Sequence, residues 1–176
     1  TSTAELEIVK DIKEKLCFVA QDYDAEHAAA ASSSEFNQSY TLPDKSQIDV
    51  PGTVRMQIPE LIFKPELNGK SCSSIQALSW RSVQATDVDV RRDLLKNIIM
   101  SGGTTMYEGM PDRLKSEISA LAPPGSEVRI VATSDRKYAV WKGASTLASL
   151  STFGSSWISK AEYEECGASI VHRKCS

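Results

Sequence analysis

The sequence predicts an α/β fold, because helical and strand-like patterns alternate along its 176 residues. Two Ser-x-x-Glu capping boxes, one near each end of the chain, stand directly before segments with apolar residues at helical spacing. Between them, short runs that alternate apolar and polar residues are bounded by Pro and Gly. A chain of this length can bury one core or two small lobes.

The first part of the chain is predicted to hold two helices and a hairpin. A capping box of Ser2 and Glu5 begins the first helix, and its apolar stripe follows at i, i+4 spacing: Ile8, Ile12 and Leu16. Residues 16–20 continue as an apolar run, which is either the end of that helix or a buried strand. An Ala/Ser-rich segment then favours a second helix over residues 25–34, and residues 40–42 and 48–50 flank a Pro-Asp-Lys-Ser turn as in a hairpin.

The middle of the chain predicts two helices and one strand. Apolar residues at helical spacing indicate helices over residues 73–85 and 87–96. The expected buried side of the second helix consists of Val90, Leu94 and Leu95. Residues 97–100 form a compact apolar run that ends at two glycines, so a buried strand is expected there.

The last part of the chain predicts a strand between helices. Pro111 suits the first turn of a helix that stops at residues 123–125. Residues 128–132 alternate as in a strand, and helical spacing resumes over residues 134–152. The final helix begins at a second capping box and ends at a glycine: Ser159 with Glu162, and Gly167.

Composition excludes several classes of function. The net charge is −3 with both signs mixed along the chain, so no basic face favours nucleic acid. No apolar run approaches the ~20 residues of a membrane helix, so membrane insertion is not expected. The four cysteines show no C-x-x-C pair and indicate a reducing, cytosolic compartment, while two histidines offer little for a metal site or a His-based triad.

The strongest local signal is the turn at residues 100–107, Met-Ser-Gly-Gly-Thr-Thr-Met-Tyr, between a strand and a helix. Glycines let the backbone approach an anion closely, and the start of a helix offers unpaired amides. The turn matches neither G-x-x-x-x-G-K-[ST] nor G-x-G-x-x-G, and many such turns bind nothing. From spacing alone, it is one possible phosphate turn.

Charged side chains on the first helix and near residue 137 form a second candidate site. Lys10, Lys13 and Glu14 are able to hold a ribose and the edge of a base, since carboxylates accept hydrogen bonds from sugar hydroxyls. On spacing alone, a solvated face linked by i, i+3 and i, i+4 pairs is the simpler interpretation. Lys137 is likewise more often a solvated lysine than a ligand.

Six blocks of sequence closely resemble actin, and they occur in the order and with nearly the spacing found there. They are KDIKEKLCFVA (10–20), MSGGTTMYEGMPDRLKSEISALAP (100–123), DRKYAVW (135–141), LASLSTF (147–153), WISKAEYEE (157–165) and SIVHRKC (169–175). The resemblance covers almost the whole chain. It implies the actin-type ribonuclease-H-like fold, in which two halves clasp ATP or ADP and a Mg²⁺ or Ca²⁺ ion.

The resemblance implies that only the second half of that fold is present. Residues 1–70 would form an outer small lobe, incomplete at its start, and residues 71–138 would form an inner large lobe at the nucleotide cleft. Residues 139–176 would return to pack against an amino-terminal lobe. The chain opens on a threonine and enters a helix directly, as a fragment would. The phosphate hairpins, the metal ligands and the side chains that position the attacking water would lie outside these residues, so no catalytic or metal-binding residue is assigned.

The resemblance also implies a nucleotide-binding set. Lys13 and Glu14 would approach the adenosine, with Glu14 at the ribose hydroxyls. The turn beside the phosphates and sugar would consist of Gly102, Gly103 and Thr104, and the base would be walled by Met106, Tyr107 and Lys137. Lys10 stands where actins usually carry arginine, which keeps the charge and loses the planar guanidinium.

Two surfaces used for partners depart from the actin pattern. The loop that joins filament subunits carries an apolar tip in actins, whereas here it contains Leu67, Asn68 and Lys70. In the cleft where actin-binding proteins insert an apolar helix, the aliphatic positions are replaced while two leucines remain: Lys142, Thr146 and Ser156, with Leu147 and Leu150.

These observations predict an ATP-binding cytoskeletal protein of the cytoplasm that self-associates into filaments and binds actin-binding proteins. In the full-length protein, ATP hydrolysis would be coupled to assembly. The alternative is an actin-related protein that holds ATP structurally within a larger complex without forming long filaments. A sugar kinase of the same superfold is disfavoured, because residues 157–165 and 169–175 match a return segment that sugar kinases lack.

Overall fold

The computed structural model describes residues 2–175, which form nine helices and four short strands. The helices are α1 (Thr3–Leu16), α2 (Tyr23–Ser32), α3 (Gly52–Glu60), α4 (Ile75–Gln84), α5 (Val88–Lys96), α6 (Met110–Leu121), α7 (Ala139–Ser149), α8 (Lys160–Cys166) and α9 (Ile170–Lys174). The strands are β1 (Gln38–Thr41), β2 (Gln47–Val50), β3 (Ile98–Ile99) and β4 (Ile130–Val131). The α/β class is confirmed.

Both predicted capping boxes are present. The Glu5 amide donates to Ser2 Oγ at 3.3 Å, and the Ser2 amide donates back to the Glu5 carboxylate at 2.7 Å. At the start of α8, the Glu162 amide donates to Ser159 Oγ at 3.3 Å and the Ser159 amide donates to the Glu162 carboxylate at 2.8 Å. Each box satisfies amides that a helix start leaves without an intrahelical partner.

The strands form two small sheets of opposite kinds. β1 and β2 pair antiparallel with Tyr40 opposite Ile48, which confirms the hairpin. β3 and β4 pair parallel, with Ile98 opposite Ile130. An isolated parallel bridge joins Phe18 to Glu108, so the run after α1 is extended rather than helical.

The main core lies between α4, α5, α6 and the β3–β4 sheet. Its buried side chains are Cys17, Val19, Phe63, Val83, Leu95, Met100, Tyr107, Met110, Leu114, Ile118 and Val128. A smaller cluster joins α2 to α3 through Ala20, Tyr23, Ala30 and Met56. The segment after α1 therefore contributes to both clusters and holds them together.

A buried ion pair connects α3 to α6. The Arg113 guanidinium donates to both oxygens of the Glu60 carboxylate, at 3.1 and 2.9 Å, and also to the Ala20 carbonyl at 2.7 Å. Glu60 is completely buried, and this burial raises the pKa of its carboxyl group while the two bonds from Arg113 oppose that rise. Arg113 also lies over the Phe63 ring at 4.9 Å, so the charge is enclosed on several sides.

Several expectations about elements and burial are wrong. The strand at residues 97–100 is not buried on both faces, because Ile99 is 74% exposed. In α5 only Leu95 is buried, whereas Val90 and Leu94 are exposed. The helix expected over residues 134–152 is shorter: a 3-10 turn at Arg136–Tyr138 precedes α7, and a second one at Ser151–Ser156 follows it.

Two helices were not predicted. α3 begins at a glycine and contains Pro59, and both residues suppress a helix prediction. α9 is only five residues long and follows directly after the 3-10 turn Gly167–Ser169. Among the residues that the structure describes, no helix combines the length and the apolar character that crossing a membrane requires.

Candidate functional site

A cleft of about 350 Å³ opens between the end of α1 and two 3-10 turns, Gly103–Met106 and Arg136–Tyr138. Its lining consists of Lys13, Glu14, Gly103, Thr104, Met106, Tyr107 and Lys137. All seven belong to the nine residues that the resemblance assigns to a nucleotide. Three segments that are far apart in the sequence thus meet around one cavity.

The α1 wall of the cleft carries opposite charges. Lys13 and Glu14 lie in the last turn of α1, and the Glu14 carboxylate is 3.7 Å from Lys137 Nζ on the facing turn. Both side chains of this pair are about half exposed, so solvent and ligand can reach them. The pair brings a hydrogen-bond acceptor and a cation to the same edge of the cleft.

The opposite wall is the Gly-Gly-Thr-Thr turn. Gly102 has φ 93° and ψ 159°, a left-handed region of φ that only glycine adopts without strain. Gly103 has open space where a Cβ would project, so a ligand can approach its backbone closely. The first amides of a 3-10 turn have no partner within that turn and are free to donate to an anion.

Arg136 fixes this turn, and the sequence patterns did not single it out. Its Nε and Nη2 donate to the Thr105 carbonyl at 3.1 and 2.8 Å, and its Nη1 donates to the Thr133 carbonyl at 3.0 Å. Its own carbonyl accepts from the Gly102 amide at 2.9 Å. A charged residue next to Lys137 carries no sequence signal that distinguishes a buried brace from a solvated side chain.

Met106 and Tyr107 form the floor of the cleft. Tyr107 is buried and belongs to the main core, and this burial raises the pKa of its phenol to about 12. It therefore remains a neutral hydroxyl at physiological pH. Met106 is partly exposed and presents its thioether to the cavity.

The remaining two residues of the expected nucleotide set lie outside the lining. Lys10 is exposed on α1 and pairs with Glu7 at 3.2 Å. Gly102 lies directly behind the lining turn, where its carbonyl accepts from Thr105 Oγ1 at 2.8 Å. The structure thus separates Lys10 from the cleft and gives Gly102 a part in shaping the turn.

The expected filament loop is an exposed turn. Leu67 and Asn68 belong to the 3-10 turn Pro65–Asn68, which Gly69 ends with φ 63°. Lys70 follows, and its amide donates to the Pro65 carbonyl at 3.3 Å. The side chains of Leu67, Asn68 and Lys70 are all exposed.

The expected partner cleft corresponds to an open face of α7 and the turn after it. Its five residues are all exposed: Lys142, Thr146, Leu147, Leu150 and Ser156. The Lys142 ammonium pairs with Asp135, and this hydrogen bond lowers the pKa of the aspartate. Thr146 Oγ1 donates to the Lys142 carbonyl at 2.9 Å, so its hydroxyl is already engaged.

Among residues 2–175, no group of three or more His, Cys, Asp or Glu side chains is arranged to hold a metal ion. The charged residues around the cleft are instead two lysines and one glutamate. Comparison with protein families identifies one family over the whole chain: the model described as Actin matches residues 1–176.

Proposed function

Because this chain belongs to the actin family, we propose that it binds ATP as part of a subunit that polymerises into actin-type filaments, with hydrolysis coupled to assembly. The observation that carries this proposal is the cleft of about 350 Å³, whose seven lining residues all belong to the set that the family resemblance assigns to the nucleotide. The family generally binds ATP or ADP with a divalent metal ion. We infer the same nucleotide here.

The chemistry of the lining fits an adenosine phosphate. A carboxylate such as Glu14 accepts hydrogen bonds from ribose hydroxyls, and Met106 and Tyr107 offer apolar surface to a base. Gly103 and Thr104 present backbone and a hydroxyl group where phosphates would lie. Lys13 and Lys137 supply positive charge. No residue of this chain is assigned to the divalent ion, so no step of this proposal depends on a metal ion that the chain holds.

We further propose that the chain forms the second half of a larger fold. In this arrangement residues 1–70 and 71–138 form the outer and inner lobes, and residues 139–176 pack against an amino-terminal lobe. Support comes from Val140, Trp141 and Trp157, large apolar side chains that are 72%, 70% and 61% exposed, because exposed apolar surface often marks a site of interaction with another protein surface. Such a protein would function in the cytoplasm as part of the cytoskeleton, with actin-binding proteins at the α7 face.

One observation favours the second candidate, an actin-related protein that keeps ATP as a structural ligand. The loop tip at Leu67, Asn68 and Lys70 is exposed and mostly polar. A filament contact normally buries apolar side chains, and burying an unpaired lysine is costly. ATP binding is common to both candidates, whereas assembly distinguishes them.

The test of ATP binding is the substitution Glu14→Ala in the protein at its natural length. Loss of a charged hydrogen-bond acceptor is expected to weaken ATP binding by about 1.5–3 kcal/mol, which is roughly ten- to a hundredfold in Kd. Titration with a fluorescent ATP analogue measures the change. Glu7→Ala is the matched control, since Glu7 lies on the same helix and pairs with Lys10 outside the cleft.

Unchanged affinity in Glu14→Ala would contradict the assignment of Glu14. Absence of ATP binding by the unsubstituted protein would contradict the proposal as a whole. Pelleting of the protein with ATP, across a range of protein concentrations, then separates a filament subunit from the actin-related alternative.

A further inference from the structure

We propose that Arg136 is a positioning residue that holds two sides of the cleft, the Gly-Gly-Thr-Thr turn and the turn that carries Lys137, before the nucleotide arrives. This inference rests on the proposed ATP function and adds to it a residue that does not itself line the cavity. Arg136 belongs to the short 3-10 turn that also carries Lys137. Its side chain forms hydrogen bonds with the Gly-Gly-Thr-Thr turn.

Four hydrogen bonds connect the two turns and the loop before them. The guanidinium makes two bonds to the Thr105 carbonyl, at 3.1 and 2.8 Å, and one to the Thr133 carbonyl at 3.0 Å. In return, the Arg136 carbonyl accepts from the Gly102 amide at 2.9 Å. The side chain and the backbone of one residue therefore hold both ends of the turn from Gly102 to Thr105.

This geometry requires arginine rather than lysine at position 136. A planar guanidinium can direct two donors at one carbonyl and a third at another, whereas a lysine ammonium is a point donor on a flexible stem. Arg136 is only 9% exposed, and no carboxylate of the described residues forms an ion pair with it. The three hydrogen bonds of its guanidinium all go to backbone carbonyls, which ties a buried cation to one conformation of the turn.

The consequence concerns both parts of a nucleotide. Gly103 and Thr104 lie within the braced turn, and Lys137 is the next residue after the brace. If either turn moved, the phosphate side and the base side of the cleft would no longer be correctly placed relative to each other. A cleft whose walls are already ordered binds more tightly, because binding then costs less conformational entropy.

The test compares Arg136→Lys with Arg91→Lys. Arg91 is a close match outside the cleft: its Nε and Nη2 donate to the Thr86 carbonyl at 3.0 and 2.9 Å, and its Nη2 donates to the Gln84 carbonyl at 2.7 Å. In the protein at its natural length, Arg136→Lys is expected to raise the Kd for ATP at least about tenfold, equal to about 1.4 kcal/mol. Arg91→Lys is expected to change it less than about twofold, which is about 0.4 kcal/mol on the same scale.

A double-mutant cycle with Lys137→Met separates positioning from general stability. If Arg136 acts through Lys137, then Lys137→Met will weaken ATP binding less in the Arg136→Lys background than in the unsubstituted protein. Thermal unfolding without nucleotide shows how far each variant is destabilised. Additive effects in the cycle, or equal losses of affinity in Arg136→Lys and Arg91→Lys, would overturn the proposal.

Hydrogen exchange of the unsubstituted protein gives a test that needs no variant. The Gly102 and Thr105 amides are expected to exchange slowly even without nucleotide, since Arg136 already orders the turn. Fast exchange that becomes slow only with ATP would show that the nucleotide orders the turn, and would overturn the proposal. Wild-type ATP affinity in a folded Arg136→Lys protein would also overturn the positioning role of Arg136. Failure of the unsubstituted protein to bind ATP would instead contradict the proposed function.

Discussion

Glu162 shows how one carboxylate can serve two helices. It accepts from the Ser159 amide at 2.8 Å and the Ser159 hydroxyl at 2.9 Å, which caps α8, and from Lys174 Nζ at 2.6 Å, which ties α9 to α8. The hydrogen bond from Lys174 and those from Ser159 lower the pKa of Glu162 from 4.5 to about 2. The ionised form is therefore the one that the folded protein stabilises.

This pKa sets the direction of a pH effect. Because the folded pKa is below the unfolded one, the stabilisation by Glu162 is complete above pH 4.5 and is lost as the pH falls towards 2. We expect the difference in unfolding free energy between the unsubstituted protein and Glu162→Gln to become smaller as the pH is lowered from 4.5 towards 2. Denaturation at a series of pH values measures it, with Glu165→Gln on the same helix as the charge control. A difference that is independent of pH would contradict the assignment.

At the scale of elements, the contact between α3 and α6 depends on the Glu60–Arg113 pair. Arg113→Met would leave a fully buried carboxylate without its partner, and we expect a loss of about 3–5 kcal/mol in unfolding free energy. The double change Glu60→Met with Arg113→Met should recover most of this loss, although the Ala20 carbonyl and the partly exposed Glu117 carboxylate then lack the donor that Arg113 supplies. Urea denaturation measures all three proteins.

An exposed pair provides the comparison for that experiment. Lys96 and Glu127 are 2.8 Å apart, and the Glu127 side chain is largely exposed. Exposed pairs contribute at most about 1 kcal/mol, so Lys96→Met should have a small effect. A similar loss in Arg113→Met and Lys96→Met would mean that the buried pair has no special part in joining α3 to α6.

The exposed loop tip carries the prediction about assembly. If the protein polymerises as proposed, its tip lacks two buried apolar side chains of the actin pattern, worth roughly 3–6 kcal/mol of contact energy per subunit. We expect a higher critical concentration than that of an ordinary actin, and a lower one in the double variant Asn68→Ile with Lys70→Met. Pelleting across protein concentrations measures both. An unchanged value in the double variant would mean that this loop does not govern assembly.

Helices with local start and stop signals were predictable, whereas α3 was not. A Cβ on Gly52 would lie 2.2 Å from the Phe36 Cβ, so this glycine allows a close packing contact that no local pattern reveals. The buried side of α3 includes Glu60, whose partner Arg113 is 53 residues away. Sequence patterns predict that a charged residue is exposed, unless its buried partner is known. The helix α3 therefore depends on tertiary contacts that its local sequence does not reveal.

The same distinction applies to the candidate site. Spacing alone gave only a weak phosphate turn, and the family resemblance supplied the residues that line the cleft. The resemblance assigns Lys10 to the site, yet its ammonium pairs with Glu7 at 3.2 Å and it does not line the cleft. The role of Arg136 was not predicted, because its partners are backbone carbonyls, which every residue carries and which therefore leave no pattern in the sequence.

For the whole molecule, the exposed apolar surface of α7 to α9 is expected to have the largest effect on stability and solubility. Val140 and Trp141 are 72% and 70% exposed, and each large apolar side chain left in water forfeits about 1.5–3 kcal/mol. Against a typical domain stability of ~5–15 kcal/mol, such losses are large. We expect the 176-residue chain, expressed alone, to aggregate and not to retain ATP.

Size-exclusion chromatography, light scattering and ATP titration check this expectation. Val140→Ser with Trp141→Ser should reduce aggregation, whereas Val88→Ser, at an equally exposed position on α5, should not. A monodisperse monomer with a sharp melting transition and measurable ATP affinity would contradict it.

The bond from Arg113 to the Ala20 carbonyl also has a consequence for synthesis on the ribosome. It spans 93 residues, and at about 5–20 residues per second the ribosome needs roughly 5–20 seconds to cover that distance. For the last 53 residues of that distance, the nascent chain already contains Glu60 but not the Arg113 guanidinium that pairs with it. The amino-terminal segment therefore cannot complete its packing as it emerges, and its native structure must wait for the arrival of α6.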